Sequence, residues 1–214
     1  KCVRIRKRDR VIDPFRIAEA ERLIKAIRQD WGEAQANYDE FRFFTGLRPS
    51  EEIALLVCDY VPVNETLRIS KARVSGIDKN CTKTGVDRVV ALCPRATSVL
   101  SRQLELRAQM FSAGLVDHDH LFFTADGAVI RHLKYVARRW GHSLRRLSDI
   151  RYRRPYNARH SSRRLAGNAQ PNVRQLATAC VLRFLDLRLG QRVDVFAWRA
   201  DVGGALCLWN QSRA

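Results

Sequence analysis

The sequence predicts a mainly α-helical chain with a small antiparallel β-sheet. Three observations carry this. Apolar residues recur at helical spacing over 15–31, 33–45 and 94–110. Two short runs, Leu67–Val74 and Arg88–Leu92, carry strand-type residues, the first in alternation with polar ones. An apolar fraction of 46% over 214 residues is enough for one cored domain with an appendage.

Taken in order, residues 1–12 are basic (Lys1, Arg4, Arg6, Lys7, Arg8, Arg10) and read as a linker or arm lying on phosphates, or as a solvated tail. Asp13-Pro14 reads as an N-cap with proline at the first helical position. The helix it opens runs to about Trp31, with Phe15, Ile17, Leu23, Ile24 and Ile27 at roughly helical spacing. A second helix spans 33–45, with Tyr38, Phe41 and Phe44 inward, and a third runs from Pro49 to about Val57. Leu67–Val74 reads as a strand, Ser75–Asn80 as a turn and Arg88–Leu92 as the next strand. Pro94 opens a long helix, Leu121–Thr124 is a short extended run, and 131–148 form a basic helix. A loop with Arg151, Arg153 and Arg154 leads into the helix carrying Arg159.

The formal charge is +17, with 39 lysines and arginines against 22 acids. Of those cations 32 are arginines, whose planar fork matches phosphate oxygens. This points to a polyanionic partner, although part of the excess also fits an arginine-rich proteome. Six cysteines without a C-x-x-C pair read as thiols in a reducing cytosol, not a zinc site or disulfide frame. No apolar run approaches the length of a membrane span, and no signal peptide is read. The chain opens on Lys1, as a fragment would. Asp117-His118-Asp119-His120 offers metal-ligating types, but adjacent ligands do not all face one ion, and a helix–loop junction is the plainer reading. No cofactor and no metal are expected.

The most informative stretch is Phe43–Glu52. Gly46 suits a helix C′ position, Pro49 the first turn of the next helix, and Ser50, Glu51 and Glu52 its positive end. Arg48 is thereby fixed at a corner between two apolar helices. It either bonds a nearby carbonyl or Glu51, or it waits for an anion.

Thr45-Gly46-Leu47-Arg48 with Glu51 close behind resembles the first catalytic box of tyrosine recombinases, the phage integrase family. Thr82-Lys83-Thr84-Gly85 resembles the family's β-hairpin lysine, and Tyr156-Asn157-Ala158-Arg159-His160 its second arginine box. The three occur in the family's order and span roughly residues 10–162. The resemblance implies an integrase-like catalytic core and DNA integration or site-specific recombination on double-stranded DNA. Other recombinase protomers would join it in a synaptic complex, in the bacterial cytoplasm on the nucleoid, with no membrane partner. Arg48 and Arg159 would converge on one phosphate, where losing such a preorganised donor costs about 3 kcal/mol. Lys83 would protonate the leaving oxygen as general acid. Glu51 would support Arg48. His160 matches a histidine often found in the family, and Tyr156 stands where the family has a histidine. Lys134, Arg138, Arg139, Arg151, Arg153 and Arg154 are candidate DNA contacts, or a solvated basic surface.

The family also has a third box, Gly-His or Gly-Trp, and then a nucleophilic tyrosine. No tyrosine follows Tyr156 in this sequence, and Gly141-His142 lies upstream of Arg159. From residue 163 onward there is no Lys, Glu, Ile, Tyr, His or Met. That break is read as a shift of reading frame near Ser162. The domains expected are a basic arm (1–12), a recombinase-like catalytic domain (13–162) and an atypical, poorly ordered tail (163–214). The expected consequence is binding without cutting. The alternatives are a non-catalytic DNA-binding regulator and, less well supported, an RNA-binding or anionic-surface protein. A type IB topoisomerase shares the arginine and lysine chemistry and also needs the tyrosine.

Overall fold

A computed structural model describes residues 12–79 and 86–165. The basic arm up to residue 11, Lys83 with its neighbours, and the tail from 166 lie outside the described residues.

The centre is α2 (Glu33–Thr45), packed by α1 (Ile17–Trp31), by α4 (Pro94–Ser112) and by α6 (Asn157–Leu165). Every residue of α2 from Ala34 to Phe44 is buried. A helix enclosed all round is ordinarily apolar. This one carries Gln35, Asn37, Asp39, Glu40 and Arg42, so each needs a partner. Asn37 donates to Gln103 at 3.1 Å, and Gln103 donates to the Leu121 carbonyl at 2.9 Å. Glu40 is held by Arg28, Arg95 and Arg102. Arg42 Nε donates to Glu52 at 2.9 Å and its guanidinium lies 4.4 Å from the Tyr38 ring centre.

An aromatic cluster joins the N-terminal segment to α5 (Leu133–Arg146). Phe15, Phe43 and Trp140 stack pairwise with ring centres 5.4–5.6 Å apart. Trp140 is fully buried and donates Nε1–H to the Arg153 carbonyl at 2.8 Å.

The β-structure is two small antiparallel sheets. β2 (Thr66–Ile69) lies between β1 (Tyr60–Val61) and β5 (Arg88–Ala91), with Leu67 opposite Val90 and Ile69 opposite Arg88. Leu67 and Ile69 face the core, and Arg68 and Val89 face outward. β3 (Ala72–Val74) and β4 (Ile77–Lys79) form a hairpin through Ser75-Gly76, both at positive φ, as a two-residue turn favours.

Four expectations are corrected. Asp13-Pro14 does not open α1, which begins at Ile17. Long-range bonds hold 13–15 outside the helix: Phe15 N–H donates to Ser161 Oγ at 2.8 Å, and the Asp13 carbonyl accepts from Asn157 at 3.2 Å. Ile17 is consequently 59% exposed. The third helix, α3 (Pro49–Glu52), is a single turn. Beyond it the chain pairs with 119–121, where Leu121 N–H donates to the Leu55 carbonyl and Val57 N–H to the Asp119 carbonyl, both at 2.9 Å. The expected strand 67–74 is two strands in different sheets, and Ile77–Lys79 of the expected turn 75–80 are β4.

Candidate functional site

The site forms where α2 ends and α3 begins. Gly46 closes α2 at φ 62°, in the left-handed region that glycine enters without strain. Its Cα also faces α6, and a Cβ there would lie 2.4 Å from Ser162 Oγ. The same close approach lets Arg159 Nη1 donate to the Gly46 carbonyl at 2.8 Å. Two residues on, Arg48 stands in extended backbone as the N-cap of α3. Two arginines 111 positions apart in sequence are thus brought to one corner.

Glu51 organises that corner. Its side chain is fully buried, and each oxygen takes two donors. Oε1 accepts from Arg48 Nη1 at 2.8 Å and Arg88 Nη1 at 3.1 Å. Oε2 accepts from the Arg48 backbone N–H at 3.0 Å and Arg88 Nη2 at 2.6 Å. Burial alone would raise the Glu51 carboxyl. The hydrogen bonds from Arg88 and Arg48 outweigh it and hold the carboxyl below its ordinary value. Two cations around one carboxylate leave a net positive corner. The Arg48 side chain is 25% exposed.

Tyr156 lies in the turn that starts α6, one turn before His160. Their rings meet edge to face with centres 5.4 Å apart. Tyr156 is 48% exposed. Lys83 lies outside the described residues, between β4 and β5.

Beside the corner is a cleft of about 740 Å³, bounded by Ser50 of α3, Arg73 and Ser75 of the β3–β4 hairpin, Arg131 just before α5, and Lys134, Arg138 and Arg139 in its first half. Among the described residues no acid lines it. Arg131, Lys134 and Arg138 make no ion pair with the described residues. Arg139 stacks on Tyr135, 3.5 Å from its ring centre, and on Trp31 at 4.9 Å. Arg73 is buried and forks onto Asp78 through two 2.6 Å bonds, with His120 Nε2 2.7 Å from its Nη2. Burial first, and the Arg73 charge second, lower His120 to about 4.

The loop arginines separate. Arg151 is 81% exposed and lies 3.8 Å from Asp13, and Arg154 is exposed. Arg153 turns inward, bonded to Asp13 at 2.8 Å and Glu19 at 3.1 Å over the Phe15 ring. It clasps the N-terminal segment. Asp117–His120 gathers no metal-binding group of three among the described residues. Sequence reasoning missed Arg88, Arg131 and Arg73. Arg88 reads locally as a strand residue, and only the pairing Ile69↔Arg88 brings it beside Glu51.

No protein-family model and no curated protein matches this chain. Solved structures do. The Tn1549 transposon integrase, in complex with transposon right end DNA, is 14% identical over 86% of this chain and 68% of its own, with a TM-score of 0.61. XerA recombinase is 18% identical over 84% and 66%, at 0.54. The lambda integrase catalytic core is 15% identical over 71% and 81%, at 0.53. The chain has the integrase catalytic-core fold, mostly helical with small antiparallel sheets. Among the described residues no helix is long and apolar enough to cross a membrane.

Proposed function

We propose that residues 13–162 are a duplex-DNA-binding domain of the tyrosine-recombinase type, serving DNA integration or site-specific recombination. Arg48 and Arg159 take one backbone phosphate. The observation that carries this is the 2.8 Å bond from Arg159 to the Gly46 carbonyl, which sets the second arginine box against the first. Each guanidinium spends a nitrogen on the protein and keeps others for a phosphate. Tyr156 and His160 flank the same phosphate, and Glu51 holds Arg48. Lys83 serves as general acid from the arm between β4 and β5.

The acid-free cleft beside the corner extends the contact. Lys134, Arg138 and Arg139 follow the DNA backbone there, with Arg151 and Arg154 on the loop beyond and residues 1–12 as a basic arm. The integrase structures with this fold include complexes with DNA, which supports the reading. Such a protein works in the cytoplasm on the nucleoid, with further protomers in a synaptic complex.

A second reading rests on one sequence fact. No tyrosine follows Tyr156 in residues 1–214. Strand cleavage needs that nucleophile, so this sequence supplies the phosphate-binding half of the reaction, and a DNA-binding regulator uses the same surface. Under both readings binding is largely electrostatic, and log K falls with log salt at about −0.9 per neutralised phosphate. Duplex affinity is expected to fall at least tenfold between roughly 50 and 200 mM salt. Affinity unchanged over that range, or a preference for single-stranded RNA, overturns the proposal.

A further inference from the structure

We propose that Arg88 is a positioning residue for the phosphate-binding corner: it locks Glu51 so that Glu51 aims Arg48 outward. The inference rests on the reading of Arg48 as a phosphate ligand.

Arg88 is the first residue of β5, five positions after Lys83. Its partner across the sheet is Ile69, whose side chain is buried in the core, so the strand is anchored at this point. From there the guanidinium reaches α3 and forks onto both oxygens of Glu51, at 3.1 and 2.6 Å. Arg48 holds the same two oxygens through Nη1 and its backbone N–H. Without Arg88, Glu51 is a buried carboxylate held by one exposed-edge arginine, free to rotate and carry Arg48 with it. Both Glu51 oxygens are engaged from the β5 side by one planar group, which a lysine, a point charge on a flexible stem, cannot reproduce. The Arg88 side chain is 32% exposed. Each of its terminal nitrogens gives an N–H to Glu51, and in this proposal its contribution to DNA binding runs through Arg48.

The test is a double-mutant cycle on duplex-DNA binding with the full chain, read as affinity and as salt slope. Arg88→Ala is expected to weaken binding about tenfold in the wild-type background and less than twofold in the Arg48→Ala background, with no further change of slope there. Arg88→Lys keeps the charge, guards against a misfolded Ala variant, and is expected to recover less than half of the loss on a logarithmic scale. Circular dichroism and the thermal midpoint establish that each variant is folded. If Arg88→Ala costs the same in both backgrounds, or lowers the slope by a further 0.9 or so, Arg88 meets phosphate itself and the proposal fails. Full binding by Arg88→Lys also overturns it. If Arg48→Ala leaves binding unchanged, the phosphate reading of the corner fails instead, and the two failures are distinguishable.

Discussion

Glu51 and Glu52 are neighbours on the same one-turn helix, and both side chains are fully buried, yet their surroundings set them apart. Glu51 faces the α2–α3 corner and meets two arginines, Arg48 and Arg88, both partly exposed. Glu52 faces α2 and meets Arg42, which it shares with Asp39; Arg42 Nη1 lies 3.6 Å from Asp39. The first cluster has one cation in excess and opens to solvent. The second has one carboxylate in excess and is sealed. Burial therefore pushes Glu52 up to about 8 and Asp39 up to about 6, despite Arg42, whereas Glu51 stays low. The lesson is that burial raises all three carboxyls, and the cations facing each one decide which keeps its charge.

The strongest way to break the comparison is to remove the shared cation. Arg42→Leu strands two buried carboxylates and is expected to cost about 3–5 kcal/mol in chemical denaturation. Glu51→Gln leaves two arginines that water can reach and is expected to cost about 1 kcal/mol. Similar losses for the two variants would erase the distinction.

A finer test uses pH. The Asp39–Glu52 pair keeps a proton in the fold well above the ordinary glutamate value of 4.5, up to about pH 8. The unfolded chain has already released it, so stability falls as pH rises through this window. His120 slopes the other way, because its folded value of about 4 lies below the ordinary 6.5, and its contribution is lost as pH falls from 6.5 to 4. Between pH 6.5 and 8 the opposing slope of His120 fades out and the carboxylate pair dominates. The expected net fall is about 1 kcal/mol over that interval. Asp39→Asn, which leaves Arg42 and Glu52 one to one, flattens it. A variant that keeps the full slope contradicts the shared-proton account.

Much of this was legible in the sequence where local chemistry and tertiary structure agree. Gly46 and Pro49 punctuate the chain whatever packs around them, so the Arg48 corner was readable. The periodicity of α1, α2 and α4 was readable for the same reason. It failed where distant partners decide. Asp13-Pro14 has a helix-start signature, but Ser161 and Asn157 claim the backbone around it. α3 stops after one turn because residues 119 and 121 offer strand-like pairing. Arg153 looked like its neighbours Arg151 and Arg154, and nothing local reveals that Asp13 and Glu19 hold it. Arg88 was invisible as a site residue because its partner lies 37 positions away. The burial of Asp39, Glu40 and Arg42 on a central helix could not be read from composition, since each is tolerated only through its partners.

The measurement that bears most directly on the account is a double-mutant cycle of Arg48→Ala and Arg159→Ala, read as duplex-DNA affinity at fixed salt. If both arginines serve one phosphate they act as a unit. Each single variant is then expected to lose ten- to a hundredfold, and the double variant to be no more than about threefold weaker than the weaker single. Losses that multiply in full would mean two independent surface contacts, and would contradict a shared phosphate at this corner.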